Sequence, residues 1–273
     1  MKKVYINDSF YFSNDSELAF IAGPCVIESR AFALETAEQL REIFYKNNIK
    51  FIYKSSFDKA NRSSSKSFRG VGLDEGLSIL DEVKTKLGIP VLTDVHEAYQ
   101  VEEVAKVVDM LQTPAFLARQ TDFIQEVARS NKPVNIKKGQ FMAPSDMQQV
   151  FNKCLEIGND NITLCERGTT FGYGNLVVDM RGLAIMAQTN QPVIFDATHS
   201  VQLPGAGGNC SLGQRQFVPV LARSAVAAKV AGLFLEVHPN PDSAPCDGPN
   251  MLDFKTLAQL LPVLKEIDKI VKK

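Results

Sequence analysis

Several features are missing from this chain of 273 residues. It has no CxxC pair among its five cysteines, and five is an odd number. Together with the length, this argues against a disulfide framework. No apolar run approaches the roughly 18 residues that span a bilayer. The start "MKKVYINDSFYFSNDS" has no apolar core after its lysines, so it does not resemble a signal peptide. We therefore expect a cytoplasmic protein that does not bind a membrane.

Excess charge and nucleotide motifs are also missing. The formal net charge is −1, which gives no general attraction to nucleic acid, and we expect no nucleic-acid partner. Neither GxxxxGK[ST] nor GxGxxG occurs. Any site for a negatively charged small molecule must therefore be built from basic residues at separate points of the chain.

The sequence does contain a regular alternation of short apolar segments and amphipathic stretches. The apolar segments lie at 18–25, 50–57, 89–96, 108–115, 133–140, 161–168, 191–199 and 232–239. Runs that are apolar on both faces are typical of parallel strands covered by helices. Eight such repeats predict an α/β fold, a closed (β/α)8 TIM barrel, as a single domain over residues 1–273. Residues 1–16 predict an N-terminal β-hairpin at one end of the barrel.

Polar residues stand where almost every predicted strand ends. In a barrel of this kind the site lies at the C-terminal ends of the strands, so these residues predict a catalytic mouth. The strand-end residues are Cys25, Lys54, Ser56, Asp94, His96, Gln112, Lys137, Lys138, Gln140, Glu166, Arg167, Asp196, His199, Glu236 and His238.

Four of the candidate residues suit a divalent metal. A thiolate, an imidazole and two carboxylates fit Zn²⁺, Fe²⁺, Mn²⁺ or Co²⁺, and the candidates are Cys25, His199, Glu236 and Asp247. Spacing leaves another interpretation open, in which Cys25 is a small buried apolar residue and His199 a hydrogen-bonding side chain. Cys246, next to Asp247, is a less favoured ligand.

Basic residues predict two anion sites. The first consists of Lys54, Lys59, Lys137 and Arg167, because cations at a barrel mouth are costly to desolvate unless an anion meets them. The alternative is that some of them pair with nearby carboxylates of the chain. The second cluster is Asn61, Arg62 and Ser63 in "KANRSS", which could bind another phosphate or could be a solvated loop.

Eight segments resemble the 3-deoxy-D-manno-octulosonate 8-phosphate synthase family, and the resemblance extends over nearly the whole chain. These segments are "IAGPCVIES", "YKSSFDKANRSS", "VLTDVHE", "LQTPAFLARQTDF", "VNIKKGQF", "CERGTTFGYGNLVVDMR", "FDATHSVQLPG" and "LEVHPNPDSAPCDGPN". The resemblance implies a (β/α)8 barrel that assembles as a homotetramer. It also implies a transferase that condenses phosphoenolpyruvate with D-arabinose 5-phosphate for lipopolysaccharide synthesis.

The resemblance also assigns roles to residues. Metal-independent members of the family carry asparagine at the position of Cys25, so the cysteine implies the metal-dependent class, with His199, Glu236 and Asp247 as further ligands. The implied catalytic set is Lys54, Lys137, His199 and Asp247. Phosphoenolpyruvate is expected at Lys54, Ser56, Lys59, Lys137, Gln140 and Arg167, and the pentose phosphate at Asn61, Arg62 and Ser63, with Asp94 and His96 lining the pocket. Arg62 is expected to reach a neighbouring subunit's site.

Three alternatives are weighed against this function. The related 3-deoxy-D-arabino-heptulosonate 7-phosphate synthases use erythrose 4-phosphate, and their loop typically reads KPRTS where this chain has "KANRSS". Sialic acid synthases use an unphosphorylated sugar and would not need the Asn-Arg-Ser cluster. A non-catalytic barrel that senses one phosphorylated metabolite would need only one anion cluster.

Overall fold

Eight parallel strands close into a barrel, so the predicted α/β fold class is confirmed. The structure is a computed structural model that describes residues 1–61, 67–204 and 212–273. Its strands are β1 (Val4–Asn7), β2 (Phe10–Phe12), β3 (Ala19–Gly23), β4 (Phe51–Lys54), β5 (Val91–Asp94), β6 (Met110–Thr113), β7 (Val134–Lys137), β8 (Ile162–Glu166), β9 (Thr169–Phe171), β10 (Asn175–Val177), β11 (Val193–Asp196), β12 (Gln202–Leu203), β13 (Leu212–Gly213) and β14 (Gly232–Glu236).

The barrel follows chain order around its circumference. Strands β3, β4, β5, β6, β7, β8, β11 and β14 are parallel neighbours in that order, and β14 pairs with β3 to close the ring. The remaining strands form three antiparallel pairs outside the ring, β1 with β2, β9 with β10 and β12 with β13.

Eight helices alternate with the barrel strands. They are α1 (Arg30–Lys46), α2 (Leu73–Leu87), α3 (Val101–Val107), α4 (Thr121–Arg129), α5 (Met147–Leu155), α6 (Arg181–Ala187), α7 (Val218–Ala227) and α8 (Phe254–Val271). Side chains cap the longest two, since Ser29 accepts a hydrogen bond from the backbone N–H of Phe32 and Asp253 accepts one from that of Thr256. None of the helices in the described residues is long and apolar enough to cross a bilayer.

Alternation along the strands divides the core into two layers. On β3, Phe20 and Ala22 face the helices and belong to the larger cluster, whereas Ile21 faces the barrel axis. The hairpin closes the N-terminal end of the barrel, where Phe10 and Phe12 pack against the interior residues. The opposite, C-terminal end is therefore the open one.

A glycine at the end of β3 brings two strands close together at this open end. A Cβ on Gly23 would lie 2.0 Å from the carbonyl oxygen of Lys54. Only glycine permits this approach. The approach places the chain that leads to Cys25 directly beside the end of β4, which carries Lys54.

Candidate active site

A cavity of about 250 Å³ lies at the C-terminal ends of the barrel strands. Most of its lining is polar, as the strand-end residues predicted. The lining side chains with charged or polar groups are Lys54, Lys59, Asn61, Ser67, Asp94, His96, Gln112, Lys137, Gln140, Arg167, His199, Gln202, Cys246 and Asp247. The site therefore combines four cations with two carboxylates and two imidazoles.

Three of the four cations contact carboxylates of the chain, Lys59 loosely at 4.0 Å from Glu236 Oε1 and Lys54 and Lys137 more closely. Lys137 Nζ lies 2.7 Å from Asp196 Oδ2 and 3.6 Å from the centre of the Phe234 ring. Lys54 Nζ lies 3.1 Å from Glu236 Oε1 and donates to the carbonyl oxygen of Cys25. The alternative interpretation of the basic residues is thus partly correct, because carboxylates fix the direction of both ammonium groups.

Arg167 is the cation with unused donors. Its side chain is buried, and Nη2 donates to Gln202 Oε1 at 2.8 Å. Nε and Nη1 are also buried and have no hydrogen-bond partner among the described residues. Burial lowers the pKa of Arg167, although nearby carboxylates oppose this effect. Such donors are costly to leave unpaired, which favours an anion as their partner.

Asp94 and its hydrogen-bond partners form another part of the cavity wall. It accepts hydrogen bonds from Ser56 Oγ and, at 2.9 Å, from His96 Nε2. Burial raises the pKa of Asp94, but the hydrogen bond from His96 and the charges of His96 and Lys54 outweigh it and hold the pKa well below its usual range. Ser56 is fully buried behind Asp94, so it positions this carboxylate.

The four predicted metal ligands lie together. Cys25 Sγ is 3.1 Å from Asp247 Oδ2, and His199 Nε2 is 3.6 Å from Glu236 Oε1 and 3.9 Å from Asp247 Oδ2. His199 Nδ1 lies 2.8 Å from Asp196 Oδ2, and this contact leaves Nε2 facing Glu236 and Asp247. Asp247 itself has a positive φ of 50°, a backbone conformation that is uncommon outside glycine and asparagine.

One carboxylate oxygen of Glu236 indicates whether these residues suit a cation. Glu236 is fully buried, and its Oε2 has no hydrogen-bond partner in the part of the chain that the structure describes. Burial raises the pKa of Glu236, but the charges of His199, Lys54, Lys59 and Lys137 lower it to about 2. An ionised, buried oxygen without a donor, next to a thiol and an imidazole, fits a divalent ion.

Cys246 lies close to these four residues, although the sequence favours it less as a metal ligand. One set of possible ligand atoms within 4.8 Å of one another is Cys25, Cys246 and Asp247, and a second is His199, Glu236 and Asp247. Cys246 also lines the cavity. Burial raises the pKa of Cys25 well above its usual range, and the neighbouring Cys246 and Glu236 raise it further. A cation would be needed to hold Cys25 as a thiolate.

The first residue of the predicted pentose phosphate cluster lies at the cavity. Asn61 lines the cavity, but Arg62 and Ser63 lie outside the described residues.

Three residues with a clear position in the site were missing from the predicted set. Gln202 bridges Arg167 and Asp247, with its Nε2 donating to Asp247 Oδ1 at 3.1 Å. Asp196 is predicted only as a strand end, and Phe234 is not among the predicted site residues. Alternation on β11 and β14 could have suggested the last two, but nothing in the local sequence indicates the bridge.

Comparison with known proteins agrees with this architecture. A family profile described as "DAHP synthetase I family" matches residues 3–273. The chain belongs to that family. Among its curated relatives are proteins named 2-dehydro-3-deoxyphosphooctonate aldolase. The one from Magnetococcus marinus is 63% identical over 265 residues, 97% of this chain and 92% of the relative. The one from Thiobacillus denitrificans is 64% identical over 258 residues, 94% of this chain and 92% of the relative.

A third relative, from Thioalkalivibrio sulfidiphilus, has the same name and is 64% identical over 252 residues, 92% of this chain and 90% of the relative. That name denotes the 3-deoxy-D-manno-octulosonate 8-phosphate synthases, so the resemblance read from the eight segments is confirmed at the level of the family. Its metal-dependent branch stays a prediction.

Proposed function

We propose that the protein is a 3-deoxy-D-manno-octulosonate 8-phosphate synthase. This transferase joins phosphoenolpyruvate, D-arabinose 5-phosphate and water into 3-deoxy-D-manno-octulosonate 8-phosphate and phosphate, for lipopolysaccharide synthesis. The observation that carries the proposal is the set of cations at one cavity, Lys54, Lys59, Lys137 and Arg167, in a chain whose relatives bear the name given above. We also propose a single-domain homotetramer in the cytoplasm.

In this proposal phosphoenolpyruvate occupies the cationic wall. Within the described residues, Arg167 Nε and Nη1 have no partner and can donate to a carboxylate or phosphate. Lys137 and Lys59 supply further positive charge beside it, and Gln140 lies at the same wall. Lys54 and Ser56 lie below phosphoenolpyruvate in this proposal. Lys54 donates a hydrogen bond to Glu236, and Ser56 donates one to Asp94.

The aldose lies farther out. Asn61 is at the edge of the cavity, and it begins the Asn-Arg-Ser segment that we assign to the pentose phosphate. Arg62 and Ser63 complete this assignment, with Arg62 reaching the site of a neighbouring subunit in the tetramer. Asp94 and His96 line the space between the two phosphate positions.

We further propose that Cys25, His199, Glu236 and Asp247 hold a divalent ion, one of Zn²⁺, Fe²⁺, Mn²⁺ or Co²⁺. When bound, such an ion supplies a Lewis acid that polarises the aldehyde or orients water without a change of oxidation state. Two observations support this assignment: Glu236 Oε2 has no hydrogen-bond partner among the described residues, and Cys25 contacts Asp247.

The chain's own residues support the bond changes. The methylene carbon of phosphoenolpyruvate forms a bond to the aldehyde carbon as its C=C π bond and the aldehyde C=O π bond open. Water adds at C2, and the proton that this water loses goes to the former aldehyde oxygen. The C2–O bond to phosphate then breaks as the C2 hydroxyl becomes the ketone, and its proton leaves with inorganic phosphate. Lys137 and Arg167 stay beside the phosphoryl and carboxylate charges throughout. Asp196 keeps His199 oriented, and the catalytic set is Lys54, Lys137, His199 and Asp247.

Two aldoses test the proposal. Phosphate release is measured with phosphoenolpyruvate and either D-arabinose 5-phosphate or erythrose 4-phosphate, with Lys137→Met as the inactive control. We expect release with the pentose phosphate and at least a hundredfold lower kcat/KM with the tetrose phosphate. Equal or greater activity with erythrose 4-phosphate would instead assign the heptulosonate reaction, which the wider family description favours as the second candidate. Binding without phosphate release from either pair would leave only a sensor.

A further inference from the structure

Lys138 is a buried cation that none of the roles above uses. It follows Lys137 at the end of β7, yet its side chain has no exposed surface and does not line the cavity. Its Nζ donates to the carbonyl oxygens of Gly139 and Met142 at 3.2 and 3.1 Å. Both acceptors belong to the loop after β7.

The same ammonium group also contacts the loop after β8. It donates to the carbonyl oxygen of Gly168 at 3.4 Å and to Thr169 Oγ1 at 3.1 Å. Glu166 Oε1 lies 3.5 Å away and balances the charge. A lysine has three donors and no acceptor, which suits a position surrounded by oxygens of two loops. Burial lowers the pKa of Lys138, and the charge of Glu166 opposes this effect.

Each of the two loops carries a residue that lines the cavity. The loop after β7 carries Gln140, and the loop after β8 begins with Arg167. The backbone N–H groups of Arg167 and Gly168 donate to Glu166 Oε1, and that of Thr170 donates to the carbonyl oxygen of Gln140 at 2.9 Å. The contacts of Lys138 therefore join the two segments from which Gln140 and Arg167 project.

We propose that Lys138 is a positioning residue for phosphoenolpyruvate, the anion that donates carbon in the proposed reaction. It ties the loop after β7 to the loop after β8 and so sets the distance between Gln140 and Arg167 across the cavity. This inference rests on the proposed function, because it takes the donor site to be the cationic wall. Without Lys138, the two loops lose their shared hydrogen-bond donor, and the carbonyl oxygens of Met142 and Gly168 lose the ammonium group. The carbonyl oxygen of Gly139 keeps only the backbone N–H of Met142. Arg167 is then no longer held in register with Gln140.

The test compares Lys138→Met with Lys272→Met. Lys272 is a matched control, since its side chain is 6% exposed and its Nζ contacts the carbonyl oxygen of Ser16 and Asp268 Oδ1, each at 2.7 Å. It directly follows α8 and contacts Ser16 beside the hairpin, and it does not line the cavity. Affinities for phosphoenolpyruvate and for inorganic phosphate are measured by calorimetry, and KM for both substrates by phosphate release.

We expect Lys138→Met to weaken phosphoenolpyruvate and phosphate binding at least tenfold, with the KM for the pentose phosphate changed less than threefold. Lys272→Met should lower the thermal midpoint and leave both affinities within twofold. If Lys138→Met binds phosphoenolpyruvate with an affinity within twofold of wild type, the inference is overturned. An equal loss of phosphoenolpyruvate affinity in Lys272→Met would overturn it as well. If Lys138→Met does not fold, Thr169→Val decides. We expect it to weaken donor binding about threefold, and an unchanged affinity would overturn the inference.

The two proposals fail separately. If the wild-type protein does not convert the two substrates, the proposed function fails. The role of Lys138 is then still judged by the affinity for inorganic phosphate. If the wild type converts them and the lysine variant keeps its donor affinity, only the role of Lys138 fails.

Discussion

Replacing Arg167 with methionine should strongly weaken the binding of phosphoenolpyruvate without unfolding the protein. The guanidinium group is 4% exposed and makes one side-chain hydrogen bond, to Gln202. Its Nε and Nη1 have no partner in residues 1–61, 67–204 and 212–273. Methionine keeps an unbranched apolar chain of similar reach. The substitution therefore removes donors that we assign to the anion while keeping most of the packing.

The magnitude follows from counting these donors. Two charge-assisted hydrogen bonds at about 1.5–3 kcal/mol each correspond to about 3–6 kcal/mol of binding free energy. At about 1.4 kcal/mol per factor of ten, the Kd for phosphoenolpyruvate should rise by a factor of about 10² to 10⁴. The free energy of unfolding of the ligand-free protein should change by only about 1 kcal/mol, because relief from burying the charge offsets the lost bond to Gln202.

Calorimetric titration with phosphoenolpyruvate and denaturant unfolding measure the two quantities on the same sample. Arg181→Met is the control, since the Arg181 side chain is 86% exposed and pairs with Asp179 at the surface. That variant should bind as the wild type does. Donor affinity within threefold of wild type in Arg167→Met would refute the assignment of Arg167. A loss of several kcal/mol in stability would show that the unpaired donors had a structural partner.

Three further outcomes are expected. Cys25→Ser should weaken Co²⁺ binding and remove the sulfur-to-cobalt absorption of the loaded protein; a band that persists and then vanishes in Cys246→Ser would assign the thiolate to Cys246 instead. Glu236 has its pKa lowered from 4.5 to about 2, so its stabilisation, about 3 kcal/mol, is present above pH 4.5 and is lost as the pH falls toward 2. Denaturant unfolding between pH 5 and 3 measures this, and Glu236→Gln showing the same fall would contradict it. Phe12→Ala should cost about 3–5 kcal/mol of unfolding free energy, because Phe12 is fully buried in the barrel interior. Its kcat/KM at 25 °C should stay at the wild-type value, and a large loss of activity in the folded variant would contradict the separation of the two barrel ends.

The fold was predictable because its signals are local and repeated. Each barrel strand is a short run that is apolar on both faces, and each is followed by an amphipathic stretch, so the count of eight could be read along the chain. The position of the site followed from the same reading, because the C-terminal ends of parallel strands meet at one rim. The eight segments quoted above also indicate the family, because each is a run of neighbouring residues.

The partners within the site were not predictable in the same way. Lys137 and Lys138 are adjacent in sequence, yet the first contacts Asp196 beside the cavity and the second lies buried between two loops. Gln202 forms hydrogen bonds with both Arg167 and Asp247, which are distant from it in the sequence. No local sequence pattern predicts such a pair of contacts. The position of Cys246 beside Cys25 has the same origin, since it depends on how the loop after β14 folds back.

The residue pattern thus determined a (β/α)8 barrel with a charged mouth and placed it in its family, because periodicity and strand ends are properties of neighbouring residues. Only the tertiary structure decided which cation meets a carboxylate and which keeps free donors for a ligand. Those choices depend on side-chain directions and on distances of 3 to 4 Å between segments up to 222 residues apart in the chain, and spacing along a sequence does not contain them.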